Sequence, residues 1–243
     1  MQAPAVRLKT KALLHEYPQN FRYYDLLVSA FVAVLLISNL VAPKLVSWGP
    51  FVFSGAQLLF PITYIFGDIF TEVYGYAGSR RAIWNGFLAS ILLTTISSIV
   101  IALPSAPEWK QQPAYQIVLG SMPRIVIASL IAYWCGEFAN SFVMARMKVL
   151  SNGKYLWMRT IGSTVVGQAV DTILVVSIIF AGTIPLSTML NLMISGYGGK
   201  VIYEALATPL TYGAVNWLKR VEGVDIMDTH TNFSPFKAKL AAE

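Results

Sequence analysis

The sequence predicts an all-α membrane protein with six transmembrane helices, and two observations carry that prediction. Hydrophobic residues make up 56% of the chain and charged residues only 12%, whereas an ordinary soluble domain is about a quarter charged. Apolar stretches of roughly the 17–25 residues needed to cross a bilayer fall at 26–46, 52–74, 82–103, 123–145, 159–181 and 187–217. The expected organisation is a cytoplasmic arm over 1–24, a six-helix transmembrane domain over 25–218 and a cytoplasmic tail over 219–243.

Orientation follows from the cations, because Lys and Arg in short loops are retained on the cytoplasmic side. Arg7, Lys9, Lys11 and Arg22 precede the first stretch. Arg80 and Arg81 follow the second, and Arg146, Lys148, Lys154 and Arg159 follow the fourth. Lys219, Arg220, Lys237 and Lys239 end the chain, while only Lys44, Lys110 and Arg124 fall on the opposite side. Both termini are therefore expected in the cytoplasm. The first 24 residues lack the short apolar core and small-residue cleavage site of a removable signal peptide. Topology and anionic lipid account for the net charge of +6 without nucleic acid as a partner.

Several chemistries are disfavoured. Cys135 is the sole cysteine, so the chain forms no intrachain disulfide and no cysteine-based metal site; His15 and His230 lie in the polar ends. No metal and no cofactor are expected. The fragment SNGKY at 151–155 lacks the first Gly and the hydroxyl of a phosphate-binding loop. The longest connection, 104–123, is broken by prolines and by Gly120. It is expected as a loop on the outer face that partly covers an entrance.

The informative residues are the polar ones inside apolar stretches. At about 1.5 Å per residue, Asp171 lies about 18 Å into the fifth stretch, near the midplane. Glu137 and Lys200 fall at similar depth, and Asp68 and Glu204 nearer the cytoplasm. A charge facing lipid at the bilayer centre costs about 2.5–3.5 kcal/mol even on lenient scales, so these groups should face each other or a wet cavity. Spacing of three or four residues places side chains on one helix face. Tyr64, Asp68 and Glu72 form such a stripe, as do Gln168 with Asp171, Lys200 with Tyr203 and Glu204, and Glu137 with Asn140. Asn39 is the main polar group of the first stretch. The third offers Asn85 and small hydroxyls only, and is expected at the periphery.

Plainer roles stand beside these. Lys200 and Glu204 have the spacing of an ion pair within one helix. Glu72, with Arg80 and Arg81 close by in sequence, is expected to form structural ion pairs at the cytoplasmic edge. Asp68 and Asp171 have interhelical hydrogen bonding open to them. As a constellation, carboxylates and amides beside aromatic rings suit a flat heterocycle: a carboxylate accepts two parallel N–H donors of a guanine-type edge, and Lys200 meets a carbonyl. Asp68 with Asp171 superficially suits an intramembrane aspartyl protease, but residues 65–68 read IFGD, without the glycine pair such enzymes use.

SNLVAPKL at 38–45, FPITYIFGDIFTEVYGYAGSRRAIW at 60–84, PRIVIASLIAY at 123–133, LWMRTIGSTVVGQAVDT at 156–172 and GYGGKVIYEALATPLTYG at 196–213 together resemble the queuosine precursor transporter family, also grouped as vitamin uptake transporters. The resemblance covers almost all of 25–218. It implies a fold similar to the substrate-binding S-components of energy-coupling-factor importers, in a multi-pass protein of the bacterial inner membrane. It also implies import of 7-cyano-7-deazaguanine, and of 7-aminomethyl-7-deazaguanine, for queuosine in transfer RNA. The family often carries Gln and then Asp three residues later where this chain has Glu137 and Asn140. Carried onto this sequence, the expected substrate-binding residues are Asn39, Tyr64, Asp68, Glu137, Gln168, Asp171, Lys200 and Glu204. The expected partners are a deazapurine, the lipid bilayer and, for so small a bundle, a second copy in a homodimer. The alternatives are a binding subunit that needs an ATPase partner and, further off, a membrane enzyme.

Overall fold

A computed structural model describes residues 21–42, 44–48, 51–120, 123–182, 185–229 and 231–236. The arm over 1–20, His15, His230, Lys237 and Lys239 lie outside the described residues, as do the side chains of Trp48, Gln57, Phe60 and Arg124. The described chain runs α1 (Tyr24–Val41), β1 (Leu45–Trp48), β2 (Phe51–Ser54), a 3-10 turn (Gly55–Leu58), α2 (Phe60–Ala102), α3 (Gln112–Leu119), α4 (Pro123–Leu150), α5 (Leu156–Phe180) and α6 (Leu186–Glu222). The two strands pair antiparallel as a small hairpin, Leu45 opposite Ser54 and Trp48 opposite Phe51.

By length and composition alone, Tyr24–Val41, Ile62–Ala102 and Leu156–Phe180 can cross a membrane. α4 and α6 have the length too, about 42 and 55 Å at 1.5 Å per residue, but their apolar runs are interrupted by ionisable residues, Glu137 in α4 and Lys200 and Glu204 in α6. The second expected span, 52–74, is cut short. Its first residues form the strand and the 3-10 turn, and the helix starts only at Phe60, with Pro61 in the first turn where its missing N–H is harmless.

What remains of the second expected span, from residue 60, and the third expected span are joined in the one helix α2. Residues 60–102 are helical except at Gly75, where φ is 71° and ψ 177°. Thr71 and Ser79 flank that glycine symmetrically, and a straight helix would set them about 12 Å apart. Both hydroxyls nevertheless bond the Ser141 Oγ, at 3.2 and 2.6 Å. The chain therefore reverses at Gly75, giving a first arm over 60–74 and a second over 76–102. Phe31 of α1 packs between them, on the rings of Phe66 and Phe70 and against Gly86.

Gly75 is required twice over. Its backbone lies in a region that only glycine enters without strain, and an added Cβ would sit 2.8 Å from Ile226 Cγ2 and 3.2 Å from Asp228 Oδ1. Gly75→Ala is expected to cost about 1–3 kcal/mol, read as a lower thermal midpoint in detergent. A midpoint equal to that of the unchanged protein refutes the reversal.

The core sits at this turn. Tyr24, Phe31, Phe70, Val73, Tyr74, Met144, Val215 and Leu218 are buried together. Glu222, at the end of α6, accepts from the backbone N–H groups of Arg22 and Tyr23 at 2.9 and 2.7 Å and from the Tyr74 hydroxyl at 2.9 Å. One carboxylate thus satisfies donors at the start of α1, which no side chain of α1 itself caps. The outer surfaces are apolar: Ile202, Leu206 and Leu210 of α6, each at least 64% exposed, form a stripe at helical spacing that suits acyl chains.

Within the expected tail, residues 224–229 and 231–236 pack on the bundle. They run back across the Gly75 turn. Asp228 accepts from the Tyr76 N–H at 3.0 Å, Tyr76 donates to the Phe233 carbonyl, and Trp84 donates to the Pro235 carbonyl. Phe233 packs on Tyr76 and Phe142, and Phe236 on Trp84 and Trp134.

Candidate functional site

Away from the Gly75 turn the bundle opens into a cavity of about 410 Å³, within the range of small-molecule sites. Every helix contributes to its wall. α1 supplies Ser38 and Asn39, the first arm of α2 Thr63 and Tyr64, and the second arm Ser90, Thr94 and Ser97. α4 supplies Tyr133 and Glu137, α5 Gln168 and Asp171, and α6 Lys200, while Val118 and Leu119 of α3 close one side. The second arm is therefore not peripheral as expected. Its hydroxyls form one wall, and Ser90 receives the Asn39 amide at 3.5 Å. The expected loop over 104–123 includes a helix, α3, which forms part of the cover.

Two glycines set the spacing across the site. A Cβ on Gly136 would fall 2.8 Å from Asp171 Cβ, and one on Gly167 would fall 2.7 Å from Asn140 Cβ. Without those atoms α4 and α5 approach closely, which brings Glu137 and Asp171 to one wall. The Lys200 ammonium reaches across from α6 to Asp171 Oδ2 at 2.5 Å, with both side chains about a fifth exposed. The Tyr64 hydroxyl donates to Gln168 Oε1 at 3.3 Å. Glu137 meets no cation within ion-pair distance among the described residues. The cavity thus holds one neutralised ion pair and one carboxyl group open to a ligand, beside an amide and the rings of Tyr64 and Tyr133.

Six of the residues expected to bind substrate, Asn39, Tyr64, Glu137, Gln168, Asp171 and Lys200, meet here. Asp68 and Glu204 do not. They are buried below the floor, 1% and 0% exposed, with their carboxyl groups within hydrogen-bonding reach of each other. The expected Lys200–Glu204 pair within α6 is replaced by Lys200 with Asp171. The stripe Tyr64, Asp68, Glu72 is real, but it descends from the cavity, through that buried pair, to a third site.

That third site corrects the expected partners of Glu72. Glu72 is fully buried, and its Oε1 lies 2.7 Å from Arg159 Nη2, 2.6 Å from Lys219 Nζ and 3.6 Å from Lys148 Nζ. Arg80 and Arg81 lie beyond the turn at Gly75, which points them elsewhere. Arg80 donates to the Asn232 and Ser234 carbonyls, and the Arg81 guanidinium lies over the Tyr24 ring. Lys148 also donates to Asp225 at 2.6 Å and to the Glu72 and Ile226 carbonyls, and Lys219 lies 2.9 Å from Asp225. Burial alone would raise the pKa of Asp225, but the two ammonium groups outweigh it and hold the carboxyl below the ordinary aspartate value. A depressed folded pKa means that this contribution is present at neutral pH and lost as acid protonates the group.

A helical bundle with apolar outer faces and a largely apolar cavity that carries a few polar and charged side chains defines a membrane protein with a small-molecule site. The family model described as "Putative vitamin uptake transporter" matches residues 54–214, and the chain belongs to that transporter family. The "Probable queuosine precursor transporter" of Bacillus subtilis (strain 168) is 30% identical over 148 residues, 60% of this chain and 65% of the relative's length. The chain therefore spans just under two thirds of that relative. No solved structure matches.

Proposed function

We propose that this protein imports 7-deazaguanine precursors of queuosine, 7-cyano-7-deazaguanine and 7-aminomethyl-7-deazaguanine, across the bacterial inner membrane. The observation that carries this reading is the Glu137 carboxyl, without an ion-pair partner among the described residues, on the wall of a largely apolar cavity beside the Gln168 amide and the Tyr64 and Tyr133 rings. A carboxylate accepts two parallel N–H donors, an amide both donates and accepts, and aromatic faces stack a flat ring. The Lys200–Asp171 pair offers a donor to a ring carbonyl and an acceptor to an aminomethyl group. The name of the Bacillus subtilis relative supports the same substrate class.

In this reading the fold is similar to that of vitamin-binding S-components, with both termini cytoplasmic. The cations at the Gly75 end then face the cytoplasm, and the cavity opens on the other side. The protein works without an ATPase, as a monomer or a homodimer.

Calorimetry on the purified protein tests the assignment. Both deazaguanines should bind, with guanine weaker because it lacks the 7-substituent. Absence of binding by either deazaguanine overturns the reading, and substrate movement into liposomes holding this protein alone separates a solitary transporter from a partner-dependent subunit.

A further inference from the structure

The Asp68–Glu204 pair is not accounted for by substrate binding or by packing. Asp68 is 1% and Glu204 0% exposed. Asp68 Oδ2 and both Glu204 carboxylate oxygens find no conventional donor among the described residues, and the two carboxyls meet where α2 packs on α6. A hydrogen bond between two carboxyl groups exists only while one of them carries a proton, since two anions in contact in a dry interior repel strongly.

The groups facing Asp68 are all acidic: Glu204 from α6, Glu137 from α4 and Glu72 on its own helix. The ionisable groups of α5 are committed elsewhere, Asp171 to Lys200 and Arg159 to Glu72. α1 carries only Tyr24 and Asp25, at its start. Of the α6 cations, Lys200 is taken by Asp171 and Lys219 by Glu72 and Asp225, while Arg220 stands in the last turn of the helix, about 24 Å along it from Glu204; on α4, Lys148 is held by Glu72 and Asp225 and the Arg146 guanidinium lies over the Phe142 and Phe233 rings.

We propose that the Asp68–Glu204 carboxyl pair is a proton-binding site, separate from the substrate cavity, that couples inward movement of substrate to inward movement of one proton. The proton arrives from the cavity through Glu137, which interacts with both members of the pair. It joins α2 to α6 while bound and leaves on the Glu72 side. Its departure leaves two facing anions, which drive α6 from the first arm of α2. Lys200 stands one turn from Glu204 on the same helix, so that movement pulls at the Lys200–Asp171 pair in the cavity wall. Pro209, inside α6, removes a helical hydrogen bond just beyond the pair and gives the helix a place to bend.

The inference uses the transporter reading, and its test separates the two. In liposomes, exchange of labelled 7-cyano-7-deazaguanine across the membrane at equal pH reports the substrate reading alone. With the outside more acidic, one proton per neutral substrate gives about tenfold accumulation for each unit of pH difference. Glu204→Gln and Asp68→Asn should retain exchange and lose accumulation. Infrared spectroscopy of the ligand-free protein supplies a readout that needs no substrate: a protonated-carboxyl stretch at neutral pH that weakens in either variant. If accumulation persists in Glu204→Gln, or if that band is unchanged by both substitutions, the proposal is overturned. Absence of exchange in the unsubstituted protein refutes the substrate and leaves the infrared result to decide the proton site.

Discussion

Glu72→Gln should be the most destabilising single exchange of near-constant shape, lowering the stability of the bundle by about 3–5 kcal/mol. Arg159 and Lys148 are each 1% exposed and meet at the Glu72 carboxylate, so glutamine leaves the buried Arg159 guanidinium without its counter-ion and leaves Asp225 alone to balance Lys148. Lys219, one-fifth exposed, turns to water at little cost, whereas Arg159 cannot. The measurement is thermal unfolding in detergent. A variant melting with the unchanged protein would show that the cluster is solvated in solution. Because removing both charges of a buried pair is far milder than removing one, Glu72→Leu combined with Arg159→Met should recover part of the loss.

Glu137→Gln should leave stability unchanged and weaken binding of 7-cyano-7-deazaguanine. The side chain borders the cavity and pairs with no cation among the described residues, so the fold does not depend on its charge. An amide in its place turns one acceptor into a donor, facing substrate N–H groups that need acceptors. Hydrogen bonds to a charged group contribute about 1.5–3 kcal/mol, which corresponds to roughly a 10- to 100-fold rise in Kd. Calorimetry reads it directly, with the thermal midpoint as control. Unaltered affinity places the ligand elsewhere in the cavity.

Much of this was legible in the sequence, and the misreadings have physical causes. Depth along a helix is a matter of counting, so the residues that meet in the cavity could be chosen from the text. Rotation about the helix axis is not. Spacing therefore paired Lys200 with Glu204, its neighbour one turn away, while the ammonium reaches to Asp171 on another helix. Proximity in sequence likewise paired Glu72 with Arg80 and Arg81. One glycine between them reverses the chain, and the partners of Glu72 come from α4, α5 and α6. The hydroxyls of the second arm carried little signal, because Ser and Thr in an apolar run satisfy themselves on their own backbone; their role shows only once the two arms lie side by side. Residues 224–236 read as tail because they are short of apolar residues. Phe233 and Phe236 were the signal that they dock.

The strap of residues 224–236 also bears on how the molecule is made. Helices are delivered in order as the ribosome proceeds, yet Lys148, at the end of α4, receives Asp225 and the Ile226 carbonyl only after α6 has been made. The backbone amide beyond the Gly75 turn waits for Asp228 in the same way. Until those residues emerge, the Gly75 end of the nascent bundle lacks the partners that Lys148, Tyr76 and Trp84 find in the finished chain. The closing of the Gly75 end is thus the last step of assembly, made by the part of the chain that is synthesised after α6.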